Sequence, residues 1–238
     1  MKKIFFLSLL AFSLTFISCS KTAETPLDSS YVLSGTIADY VTNTLDSIKV
    51  TGSNNMDIIT PDALVGKCKV SSSGGFSFTL STPTVLTKNG GEKGLTVSDT
   101  TAMVSNACQF YCYKNGIVTG YLVKCNNKTD SITKGLSISA YTYSDRTFTS
   151  KGTTTSMQKY SNSSYSRTAI FDLTITKGWN EFTYTVNAFS IGAGYNYMES
   201  GSYTSSIVPN LQWRFIAYPS YNARSNERNG QKVQKFLH

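Results

Sequence analysis

Histidine is all but missing from this chain. The single one is His238, the last residue. Ser–His–Asp and Cys–His schemes therefore have no base to work with. Charge is scarce too. Asp, Glu, Lys and Arg together make up 15% of the residues, and the net charge is +8. That is not the Lys/Arg density of a protein that grips a phosphate backbone, so nucleic acid is not an expected partner. Gly-x-Ser-x-Gly, His-Glu-x-x-His, the P-loop and Gly-x-Gly-x-x-Gly are all absent. What abounds instead is Ser, Thr and Tyr, the composition of a β-protein with a neutral, hydroxyl-rich surface.

The chain begins MKKIFFLSLLAFSLTFISCS. Lys2 and Lys3 give a positive start. Ile4 to Ile17 is an uncharged, mostly apolar run, too short to span a bilayer comfortably as a mature helix. Ser18-Cys19-Ser20 follows. This arrangement resembles a bacterial lipoprotein signal, with Phe16 where such signals prefer Leu. The resemblance implies that residues 1–18 are removed, that Cys19 is acylated, and that the protein is held to the membrane by that lipid. Ser20, in place of Asp, implies sorting to the outer membrane, on its periplasmic or its cell-surface side. Residues 19–30 read as a polar tether. Removal of the signal leaves 220 residues and a net charge of +6, enough chain for one large or two small domains.

Five cysteines occur. With Cys19 assigned to lipid, Cys68, Cys108, Cys112 and Cys125 remain, an even number in a compartment that permits disulfides. They are candidates for disulfides or buried thiols. The Cys108-x3-Cys112 spacing lacks the Cys-x2-Cys or histidine partners of a zinc site, so no metal and no cofactor is expected.

From Tyr31 onward the chain reads as short strands separated by turn signals. Residues 31–39, 46–51, 64–70 and 75–80 form a first block. In its last run Phe76, Phe78 and Leu80 alternate with Ser77 and Thr79, one apolar face and one polar. Gly35-Thr36-Ile37 and the Gly75-Phe76-Ser77-Phe78 run resemble the small immunoglobulin- or transthyretin-like modules of secreted bacterial proteins. The resemblance implies a small β-sandwich module over 31–84. Residues 85–97 read as a loop or linker. A larger β-domain, an antiparallel sandwich or barrel-like sheet, is expected over 98–218, followed by a basic tail at 219–238.

Within the larger block, Asn115-Gly116 predicts a two-residue hairpin turn. That turn pairs Tyr111 with Gly120 and puts Cys108, Cys112 and Cys125 on one face. Residues 152–164, rich in Ser and Thr, read as an exposed loop. Residues 169–186 read as a hairpin about Lys177-Gly178, with Leu173 opposite Phe182 and Phe171 opposite Tyr184. Residues 190–201 read as a loop rich in Gly and Tyr. Tyr141-Thr142-Tyr143-Ser144-Asp145-Arg146, Lys177-Gly178-Trp179-Asn180 and a late Trp213 resemble a loosely defined set of secreted bacterial lipoproteins. In that set a YxYxDR strand end precedes a kGWN hairpin. The likeness covers residues 31–216 and implies the block order and the envelope location, with no activity attached.

Two kinds of function remain. Trp179, Tyr195 and Tyr197, set in or beside turns, are candidates for a surface that binds a glycan or an envelope protein. Alternatively, two carboxylates serve a glycan-processing enzyme. Asp145, Asp172, Glu181 and Glu199 are the candidates, and no spacing singles out a pair. Asp172 and Glu181 are expected on the polar face of the hairpin. The favoured expectation is a non-catalytic, lipid-anchored envelope protein.

Overall fold

The computed structural model describes residues 31–52, 64–89, 91–105, 108–127, 132–161, 163–193 and 196–218. The signal, Cys19 and the tether, Tyr195, and the 219–238 tail lie outside them. Among the described residues there are fifteen strands and no helix. The first block supplies β1 (Tyr31–Ala38), β2 (Ser47–Thr51), β3 (Leu64–Lys69) and β4 (Gly75–Leu80). Then come three short strands, β5 (Thr87–Lys88), β6 (Leu95–Val97) and β7 (Met103–Val104). The rest are β8 (Gln109–Lys114), β9 (Ile117–Cys125), β10 (Ser137–Ser144), β11 (Phe148–Tyr160), β12 (Ser163–Ile175), β13 (Gly178–Gly192), β14 (Asn196–Thr204) and β15 (Gln212–Ala217).

The strands form one large mixed sheet that does not close into a barrel. Its main path runs β3-β2-β8-β9-β10-β13-β14-β12-β11-β6. β9 is the junction. Residues 120–125 pair with β15, while the opposite edge takes β8 along residues 117–121 and β10 at residues 124–125. β15 continues into β1, parallel at Ile37–Trp213, and β1 into β4. The first block is therefore stitched into the second at two places, through β2 with β8 and through β1 with β15. Residues 85–97, expected as a linker, carry β5 and β6, and β6 pairs with β11.

The alternation read in β4 holds: Phe76, Phe78 and Leu80 are buried, Ser77 and Thr79 exposed. They meet the largest cluster of buried side chains, whose hub is Trp213 on β15. Its ring lies 5.4 Å from Phe76 of β4, 5.2 Å from Phe110 of β8 and 6.1 Å from Tyr141 of β10. The indole also fits against β1 because residue 35 is glycine. A Cβ there would stand 2.5 Å from Trp213 Cδ1. Beside the hub, Arg214 Nη1 reaches Asp39 Oδ2 at 3.3 Å and ties β15 to the end of β1.

Four local expectations need correction. The Asn115-Gly116 turn forms, with both residues at positive φ. One step further, a bulge between Cys112 and Tyr113 shifts the register, so Gly120 faces Cys112 instead of Tyr111. A one-residue slip turns the rest of a strand over. Cys108 and Cys112 accordingly face the Trp213 cluster, while Cys125 packs with Leu136, Tyr184 and Val186.

Next, β12 and β13 are not partners. β14 lies between them, parallel to β12 and antiparallel to β13. The expected Phe171–Tyr184 row survives with Tyr203 inserted, and Asp172, Thr204 and Thr183 form the row beside it. Finally, residues 152–164 are no loop. β11 and β12 pair continuously from Phe148–Ile175 to Tyr160–Ser163. The threonines are β-branched and favour a pleated backbone even where little is buried. Residues 190–201, likewise expected as a loop, hold the end of β13 and most of β14.

The close fit of Gly35 to Trp213 makes a double-mutant cycle decisive. Trp213→Ala should cost about 3–5 kcal/mol. Gly35→Ala should cost about 1–3 kcal/mol by overpacking. In the Trp213→Ala background the Gly35→Ala penalty should shrink or vanish. Denaturant titration of the four proteins measures it, and additive costs would refute the contact.

Candidate functional site

Two acidic side chains are drawn into the sheet, on opposite faces. Glu181 of β13 is half-buried beside the Trp213 cluster. Lys124 Nζ donates to its Oε1 at 2.7 Å, Ser139 Oγ donates to the same oxygen, and the Tyr141 hydroxyl is a further partner. Burial works to raise the Glu181 pKa, but hydrogen bonds from Lys124, Ser139 and Tyr141 outweigh it and hold the carboxyl below the ordinary glutamate value. The Tyr141 phenol is pushed up, by burial first and then by Glu181. Glu181 is thus an ionised, paired group and not the free surface carboxylate expected on a hairpin. Asp172 is exposed and pairs with Lys151 at 3.0 Å.

Glu199 of β14 is the more deeply buried of the two, at 6% exposure. Tyr165 donates its hydroxyl to Oε2 at 2.6 Å, and Tyr184 donates to Oε1. Arg167 Nε stands 3.6 Å from Oε1, an ion pair too long for a hydrogen bond. The guanidinium stacks over Tyr184 and Tyr203, 4.8 and 5.5 Å from the ring centroids, and donates to the Tyr203 hydroxyl. Burial and then the Glu199 carboxylate push the Tyr165 and Tyr184 phenols up, so both remain proton donors. Tyr184 can lie across β14 because residue 201 is glycine, where any Cβ would overlap the ring.

Sequence reasoning missed this cluster. Arg167 and Glu199 are neighbours only through the parallel pairing of β12 with β14, which no local spacing announces. The two glutamates cannot share a cleft. Tyr184, facing Tyr203, stands on the Glu199 side of the sheet, and Glu181 stands on the other. A bulge between Val186 and Ala188 keeps that assignment from being read off β13 alone.

The last carboxylate candidate, Asp145, lies near Asp99. Both pair with Arg146, at 2.8 Å and 3.8 Å. Hydrogen bonds lower both acids: from Arg146 foremost at Asp145, from Thr101 foremost at Asp99. A glycosidase needs one acid held protonated near neutrality. Glu181, Asp99 and Asp145 are all held low instead. A shallow, open depression beside β1 and β4 is lined by Ser34, Lys69, Ser71 and Ser77 among others and holds no acid.

The binding candidates are not brought together. Trp179 is 7% exposed, packed edge-on to Tyr143 at 5.6 Å within the Trp213 cluster. Its position beside a turn suggested exposure. The strand alternation of β13 instead places it opposite Tyr143, on the core side. Tyr197 is half-buried against Phe189, and Tyr195 is outside the described residues.

The four cysteines among the described residues are free thiols, three of them buried. Cys68 and Cys112 flank Ile48 from either side in the row β3-β2-β8. Two strand spacings put them about 10 Å apart, beyond disulfide reach. Burial first, then Cys68, pushes the Cys112 thiol up to about 12, so it is not poised as a nucleophile. Among the described residues no three His, Cys, Asp or Glu gather as a metal site would require.

What stays uncovered is one face of the arm formed by β11, β12, β14 and β13. Cross-strand pairing puts Met157, Ile170 and Met198 on it, 60%, 45% and 53% exposed, among Thr153, Thr155, Ser166, Thr168 and Ser200. No family model matches the chain, and neither a curated protein nor a solved structure matches it.

The Glu181 pocket has a pH signature. A carboxyl lowered on folding contributes stability that is present above its unfolded pKa and lost as pH falls through the folded value. Stability should therefore decline below about pH 4.5, the ordinary glutamate value. Glu181→Gln should be less stable at neutral pH and show a weaker decline. Parallel acid dependence in both proteins, measured by denaturant titration at stepped pH, would overturn the assignment.

Proposed function

We propose that this chain is a lipid-anchored protein of the bacterial outer membrane that presents a β-surface to a protein partner and does no chemistry of its own. The observation that carries this is the uncovered arm face. Three exposed apolar side chains sit among small hydroxyl residues on a regular four-stranded surface, with charge confined to Lys151, Asp172 and Lys159 at its margins. A flat, neutral, partly apolar patch of this kind suits a protein surface of like character. A glycan would call for exposed aromatic rings. Both tryptophans are buried, which favours protein over sugar as the partner. The carboxylate enzyme has no observation in its favour, since Glu181 and Glu199 face apart and Asp99 and Asp145 are held by Arg146. Anchoring follows from the lipoprotein-like start, with the lipid on Cys19.

Two experiments test the parts separately. Cys19→Ser should release the protein from the membrane fraction and abolish labelling by a palmitate analogue; unchanged labelling would remove the anchor. For the surface, the purified protein is used to capture partners from envelope extract. Ile170→Asp with Met198→Asp should lower recovery of the captured protein about tenfold, a loss of about 1.4 kcal/mol. Val32→Asp, an exposed apolar site elsewhere, should leave recovery unchanged. Circular dichroism controls for folding. Equal loss in both variants would mean that the arm is not the surface used.

A further inference from the structure

The outer edge of β11 carries a second, independent feature. Along its inner edge β11 is bonded to β12 over thirteen consecutive pairs with no register shift. Along its outer edge β6 covers only residues 150–152. There the Thr153 N–H donates to the Gly94 carbonyl at 3.1 Å and the covering chain leaves. The departure is built from two glycines, Gly94 and Gly152, both at positive φ, whose backbones approach too closely for any side chain. From Thr154 to Lys159, no strand among the described residues pairs with this edge.

We propose that this edge pairs with the same edge of a second copy of the chain, antiparallel, about a two-fold axis at Met157. The direction of the backbone groups restricts the register, and the exposed Met157 side chains choose within it. The Thr149 carbonyl accepts from Ser98 N–H on the outer side, and Thr153 N–H also points outward. Alternate residues share a direction, so Thr155, Met157 and Lys159 present their N–H and C=O groups outward. A two-fold axis at Met157 sets each of these opposite another outward-facing residue: Met157 against Met157, Thr155 against Lys159. Every outward donor and acceptor over this stretch is then satisfied. No two like charges meet, and the exposed Met157 side chains cover each other. An axis midway between two residues would set outward groups against inward-bonded ones and form none of these bonds; an axis at Ser156 or Gln158 would form them but would no longer set Met157 opposite Met157.

Proteins usually blunt such an edge with proline, bulges or several charges. This one has Lys159 alone, and it falls opposite threonine. β6 already adds to the same edge in the antiparallel sense, so a second β11 continues an existing ladder. So short an edge makes a small interface, and association in the micromolar range is expected.

The test uses the full chain with Cys19→Ser. Sedimentation equilibrium from low micromolar upward should show a reversible dimer. Met157→Lys, which opposes two ammonium groups at the axis, should weaken it at least tenfold. Thr155→Pro, which removes an outward N–H without touching the β12 ladder, should do the same. The melting temperature controls for folding. Mild oxidation tests the register. In the proposed pairing the two residues 157 have Cα atoms about 5.5 Å apart, within disulfide reach. Met157→Cys should cross-link to a covalent dimer, and Thr155→Cys should not. A monomer throughout the range overturns the proposal, as does a dimer indifferent to both edge variants. Equal cross-linking by the two cysteine variants overturns the register. A chain that stays monomeric but takes up a synthetic extended peptide would assign the edge to a different partner. The arm-face variant Ile170→Asp with Met198→Asp should dimerise normally, which separates failure here from failure of the proposed function.

Discussion

The packing of Trp213 is the contact on which the architecture depends. One indole touches rings from β4, β8 and β10 and lies against Gly35 of β1. These elements come from both ends of the chain. Burial of so large an aromatic surface is worth several kcal/mol, and it is available only when the first block and the last strand have met. The parallel contact between β1 and β15 spans just two residue pairs. Backbone bonding that short would not hold by itself; the indole and the Arg214–Asp39 pair give it a reason to form.

The same constraint explains why two blocks visible in the sequence do not behave as two in the strand pairing. β1 and β4 alternate cleanly enough to suggest a self-contained sandwich. A block of about fifty residues buries too little on its own to be secure. Here its inner faces are completed by Phe110, Tyr141 and Trp213 from the second block. Composition and turn signals cannot report such a completion, because it is made by residues up to 180 positions away.

What was legible in the sequence was local. Strand alternation in β4, the Asn115-Gly116 turn and the rows through Phe171 and Asp172 all follow from period-two patterning and positive-φ preferences. What was not legible required knowledge of a neighbour. The bulge after Cys112 turned Cys125 away from the other cysteines. The insertion of β14 separated β12 from β13 while keeping their rows aligned. A pattern of faces specifies which side of a strand is wet, not which strand lies beside it. Trp179 and the 152–164 segment were misjudged for related reasons. Proximity to a turn does not decide exposure, and hydroxyl-rich sequence does not decide loop.

The buried glutamates show how a β-protein with little charge uses the charge it has. Glu181 is met by an ammonium, a serine and a phenol, and Glu199 by two phenols and a guanidinium. A carboxylate taken out of water is costly unless its oxygens are bonded, and in both cases they are. Such groups are withdrawn from contact with a substrate. They are better suited to setting register than to chemistry. Glu199 in particular can be satisfied only when β12, β13 and β14 stand in one alignment, since Tyr165, Tyr184 and Arg167 come from the two strands that flank it. That requirement holds the arm as a regular sheet out to its far end. A surface so held offers both its open face and its open edge to a neighbour at little further cost in conformational entropy.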